Sequence, residues 1–110
     1  MKIPTFPFTV TDWRTMPAIR QAGEHGYALT RTLVIADMTV RMVDYSPGYL
    51  ADHWCARGHI VLVVAGDVTM ELTDGQRFVL PPEMSFQVSD DETSRHRAST
   101  QDGATVFVID

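Results

Sequence analysis

The chain has 110 residues, enough for one domain around one core, and its apolar and charged shares of 45% and 21% are ordinary for a globular protein. The formal charge is −5, and the nine Lys and Arg residues are scattered rather than clustered. That balance argues against a nucleic acid or an anionic membrane as partner, since either requires a basic face.

Residues 1–28 read as an irregular N-terminal arm. Phe6, Phe8, Trp13, Met16 and Ile19 follow neither a helical nor an alternating period, so the arm is expected to pack on the outside of a sheet. Pro4 and Pro7 interrupt any signal-peptide core, and Thr11-Asp12 can cap one short turn before Pro17. From residue 29 to 110 the chain reads as one all-β barrel domain. Strands are expected over 29–36, 38–45, 50–55, 59–65, 68–72, 77–80, 85–88, 96–100 and 104–109. Ser46-Pro47-Gly48, Gly66-Asp67, Asp74-Gly75 and Asp102-Gly103 supply turns. No apolar run is long enough to cross a bilayer; the best, 59–65, is strand-length. A lone cysteine excludes an internal disulfide and suits a reducing compartment, so the expected location is the cytoplasm.

The chemistry concentrates in His53-Trp54-Cys55-Ala56-Arg57-Gly58-His59. On an extended strand His53 and Cys55 share a face that Asp52 and Trp54 do not, and a turn at Arg57-Gly58 can return His59 beside them. Two imidazoles and a thiol converging on one point make a metal site. The alternative is a lined pocket in which these groups bond one another and a ligand without metal. Cys55 itself is either a thiolate ligand or barrel filling. His25 reads as solvent-exposed and Glu83 as a turn residue, while Glu71 and Gln87 are the acid–base candidates on the inferred inner face.

From about Thr39 to Asp110 the chain resembles a small single-domain cupin, a jelly-roll barrel. The first cupin motif sets Gly, His-x-His, Glu and Gly at fixed spacing; His53-Trp54-Cys55, His59 and Gly66 stand there, with Cys55 for the second His and His59 for the Glu, and Gly48 stands one residue closer to His53 than the pattern has it. In the second motif Glu83 stands at the Gly, Ser89-Asp90-Asp91 replaces Pro-x-Gly, His96 arrives two positions late, and Thr100 stands at the Asn. More narrowly, Asp52-His53-Trp54-Cys55 resembles a group of cupin-fold proteins named for an Asp-His-Cys-Trp motif.

The resemblance implies a jelly-roll barrel in which His53, Cys55, His59 and His96 hold a divalent transition metal: zinc, iron, nickel, copper or manganese. It further implies a small-molecule ligand inside the barrel, with metal-dependent chemistry on a polar metabolite or, alternatively, binding and sensing without metal or catalysis. The doubly apolar strand 59–65 needs cover on its outer face, and small cupins commonly form dimers. A homodimer is therefore expected.

Overall fold

Short runs of β-branched residues bury half their side chains most readily by pairing as strands and turning one face inward. The computed structural model describes residues 3–110; Met1 and Lys2, at the start of the arm, lie outside the described residues. Nine strands follow in order: β1 Ile19–Ala22, β2 Tyr27–Ile35, β3 Met38–Tyr45, β4 His59–Gly66, β5 Val68–Leu72, β6 Arg77–Leu80, β7 Ser85–Val88, β8 His96–Ser99 and β9 Ala104–Ile109. No α-helix occurs among the described residues; a single 3-10 turn spans Glu92–Ser94.

The strands form a six-stranded sheet ordered β1-β2-β3-β9-β4-β7 and a three-stranded sheet ordered β6-β5-β8, with all pairs antiparallel. The inner faces of the two sheets enclose a core dominated by valine. Val63, Val68 and Val106 are almost wholly buried, with Val43, Val61, Val108, Met70 and Leu80 around them. Burying each such side chain is worth about 1.5–3 kcal/mol. Alternation sets what faces in: on β4, His59, Val61 and Val63 point inward, while Ile60, Leu62 and Val64 point outward and are 41–47% exposed.

Two expectations of secondary structure are corrected. Ile19–Ala22, read as part of an irregular arm, is an edge strand paired with β2. All four of its residues are exposed, so its backbone ladder holds it without an alternating pattern. Conversely, 50–55 is not a strand. Only Leu50 and Cys55 make isolated bridges, and the chain bends at Asp52 and His53. Before β1, the expected capped turn is present: the Asp12 side chain accepts from the Arg14 backbone N–H at 3.0 Å. Trp13 then meets the edge of Phe107 on the outer face of β9, with centroids 6.0 Å apart.

Gly66 closes β4 with φ of +70°, just past a register shift between Val63 and Ala65. A Cβ there would sit 2.2 Å from the carbonyl oxygen of Gly103. Neither the left-handed backbone nor the neighbouring strand can accept a side chain, so Gly66→Ala should destabilise the protein by about 2 kcal/mol. Urea unfolding would show this as a lower midpoint at unchanged slope. Glu83 occupies the position where the cupin pattern has glycine, and it does so with φ of +75°. That left-handed backbone is strained for a residue with a Cβ, and a glycine would be tolerated there without cost.

Candidate metal centre

One end of the barrel places three polar side chains across the seam between the sheets. His59 opens β4 in the large sheet and His96 opens β8 in the small one, each with its ring directed inward. Cys55 arrives from the loop and is locked opposite His96 by a pair of backbone bonds, Cys55 N–H to His96 C=O at 2.8 Å and the reverse at 3.0 Å. The outcome is compact. His59 Nε2 lies 2.8 Å from His96 Nε2 and 3.8 Å from Cys55 Sγ, and one ligand atom from each residue falls within 4.8 Å of the others. The ring of Phe86 stands at the edge of both imidazoles and keeps that flank apolar.

The other ring nitrogens fix the tautomers. His59 Nδ1 lies 3.2 Å from Asp110 Oδ2, and His96 Nδ1 lies 3.2 Å from the carbonyl oxygen of Ser94. A carboxylate and a carbonyl can only accept, so each Nδ1 carries the hydrogen and donates. In the neutral form of these tautomers each ring presents a lone pair at Nε2, and the two Nε2 atoms face each other. Two acceptors at that distance repel unless something positive lies between them. Burial pushes the His96 pKa down; His59 pushes in the same direction, and the bond to Ser94 opposes. The ring is thus biased toward the neutral form that a metal requires.

Behind the cluster, Asp110 Oδ2 also accepts from Arg41 Nη2, and the Asp110 side chain is only 6% exposed. Arg41–Asp110–His59 is thus a continuous chain of side-chain bonds that ends on an imidazole of the cluster. Neither Arg41 nor Asp110 was among the residues expected at the site. Asp110 continues the inward alternation of Val106 and Val108, a signal present in the sequence.

His53 stands apart from the cluster. Its Nδ1 contacts Asp52 Oδ1 at 2.6 Å, its side chain is 74% exposed, and it lines the mouth of the adjoining cavity. The bend at Asp52-His53 explains the separation, because strand alternation does not apply there. Trp54 lies under the guanidinium of Arg97, 4.5 Å from ring centroid to Cζ. Gln87, expected on the inner face, is exposed opposite Ile60, and Glu71 is engaged by Arg97 at 3.0 Å. His25 and Glu83 are exposed. Thr100, at the cupin Asn position, is buried and donates to the Asp67 carbonyl oxygen at 2.7 Å.

The cavity next to the cluster measures about 190 Å³ and runs along the inner faces of both sheets. Valines of both sheets form its apolar part, beside Gln21, Thr30, Arg41, Arg97 and the stacked pair Tyr45 and Tyr49, whose centroids are 4.5 Å apart. Burial raises the pKa of Tyr45 far above the usual phenol range, so it remains a neutral hydroxyl.

No family model and no curated protein matches the sequence. Solved structures do match its shape. The polyketide cyclase RemF from Streptomyces resistomycificus superposes with a TM-score of 0.75 at 16% identity, over 94% of this chain and 78% of that one. A predicted oxalate decarboxylase from Thermotoga maritima gives 0.74 at 8%, over 92% and 96%. A cupin-like protein from the same organism gives 0.70 at 17%, over 89% and 79%. The chain has the cupin fold. Identities this low establish the fold of the chain and carry no substrate with them, so its function must be argued from its own residues.

Proposed function

We propose that this cupin binds one divalent transition ion through Cys55, His59 and His96 and offers the adjoining cavity to a small molecule. The observation that carries the reading is the pair of Nε2 atoms facing each other at 2.8 Å. A cation between them removes the repulsion, and the Cys55 sulfur lies close enough to complete three ligands. Tetrahedral metal–nitrogen bonds of about 2.0–2.1 Å require the two Nε2 atoms to part by about half an ångström. The donor set is borderline-soft and suits zinc, nickel, copper or iron better than manganese. Such an ion supplies Lewis acidity at the cavity wall. The chain's residues contribute orientation: Asp110 and Ser94 fix the tautomers, and Phe86 excludes water from one flank.

Elemental analysis of protein purified without chelator is the direct test, with near one equivalent of metal expected. Protons compete for the ring nitrogens, so occupancy should fall as pH drops below roughly 6.5, where an ordinary imidazole protonates. The depressed pKa of His96 delays its loss to lower pH than for an exposed histidine. A metal content near zero, with no zinc, iron, nickel or copper uptake afterwards, would leave a shared proton between the rings and a metal-free binding pocket. Turnover of a metabolite panel by the loaded protein separates an enzyme from a binding or sensing module.

A homodimer is part of the same proposal. Ile60 and Leu62 on the outer face of β4 lie beside Ile109 and Phe107 of β9, forming an apolar strip that a second copy would cover. Light scattering at micromolar concentration should report twice the 12.3 kDa chain mass. We place the protein in the cytoplasm, where the free Cys55 thiol stays reduced. No helix among the described residues is long and apolar enough to cross a membrane.

A further inference from the structure

We infer that the cavity takes a small monoanion with an apolar body, its charged end against the metal position and its body along the valine wall. This rests on the metal reading above and adds the class of ligand. The first support is charge. A divalent ion bound to one thiolate and two neutral imidazoles keeps a single net positive charge. The nearby ionic side chains do not change that total, because Arg41 is paired with Asp110 and Arg97 with Glu71 at 3.0 Å. An uncompensated charge in a low-dielectric cavity is costly, and one negative charge on the ligand removes the cost where two would restore it with opposite sign.

The second support is coordination and donors. Cys55, His59 and His96 all line the cavity, and a tetrahedral ion held by these three would have one position left for a ligand. Arg41 and Arg97 both line the cavity, and each keeps a buried Nε–H that has no acceptor. Of the other buried side-chain atoms without a partner, Arg31 Nε lies outside the cavity lining and Asp110 Oδ1 is an acceptor whose charge Arg41 already offsets. The two lining arginines thus bring unpaired donors to the cavity, and an anionic oxygen is a group they can bind. The third support is shape. Val43, Val61, Val63, Val106 and Val108 form an apolar wall around about 190 Å³, and a cavity of about 150 Å³ suffices for a benzene ring.

Benzoate and benzamide share a shape and differ in charge, which makes them the decisive pair of probes. With cobalt(II) loaded into the full chain, the visible bands of the ion report a ligand entering its coordination sphere. Benzoate should shift those bands saturably, at a concentration at least about tenfold below that needed for benzamide. In Arg41→Gln the uncompensated Asp110 neutralises the site and the preference for benzoate should disappear. In the double variant Arg41→Gln/Asp110→Asn, at saturating cobalt, the single positive charge returns and so should the preference. Cobalt uptake with equal response to both probes, with benzamide preferred, or with no response to either overturns the monoanion and leaves the metal site standing. Failure to take up cobalt or zinc overturns the metal reading and this inference together. Loss of preference in both variants would overturn the charge argument in favour of a direct contact from Arg41.

Discussion

His59→Ala and His96→Ala should each lower zinc affinity by more than a hundredfold, while His53→Ala changes it by no more than about threefold. Protein zinc sites with a full ligand set are worth about 10–16 kcal/mol, so one ligand of three or four carries about 3 kcal/mol or more. His59 and His96 hold the Nε2 atoms that face each other, and among the described residues no other histidine joins their cluster. His53 instead rests on Asp52 with its ring mostly in solvent, where removal costs the cluster nothing. Competition against a chromophoric zinc chelator measures all three variants directly. His96 is 5% exposed, so its truncation also leaves a void. His96→Gln fills that space with a poor zinc ligand, and thermal melting in excess chelator separates lost folding from lost binding. A large effect of His53→Ala would mean that the 52–53 bend closes over the metal and makes a four-ligand, closed site.

Much of the barrel could be read from the sequence. β3, β5, β6, β7 and β9 fall on the expected residues, because short apolar or β-branched runs there are bounded by Gly, Pro, Asp or Ser turn residues. What failed did so where alternation carries no information. Ile19–Ala22 is an edge strand held by backbone bonds, with nothing to bury. Asp52 and His53 alternate on paper but sit in a bend, so a face argument placed His53 beside Cys55 when the chain turns it outward. The approach of His59 and His96, 37 residues apart, came from the cupin resemblance and could not come from local pattern. Cys55 owes its place to a two-bond bridge onto β8, a long-range register that no short window shows. The Arg41–Asp110 support was missed for the same reason, although its inward-facing positions continue visible patterns on β3 and β9.

Asp110→Asn should weaken zinc binding by about 10–100-fold, the usual effect of removing the carboxylate that orients a ligating histidine. The carboxylate accepts the His59 Nδ1–H at 3.2 Å and so keeps Nε2 free for the metal; its charge also makes the ring a better electron donor. An asparagine oxygen in the same place still accepts that bond, but it lacks the charge. Its NH₂ group, if turned toward His59, would force the opposite tautomer and present an N–H to the metal. The substitution also strips Arg41 of its counter-ion in a setting where the guanidinium is largely covered. Part of any loss would therefore be stability alone, because an unpaired charge near the core is costly. The double variant Arg41→Gln/Asp110→Asn separates the two effects. It removes the orphaned charge, so melting in excess chelator should recover toward wild type, while zinc affinity stays reduced because His59 still lacks its carboxylate. Recovery of affinity together with stability would show that Asp110 serves only to neutralise Arg41. Affinity that stays low after stability returns assigns to Asp110 the positioning of the His59 ring.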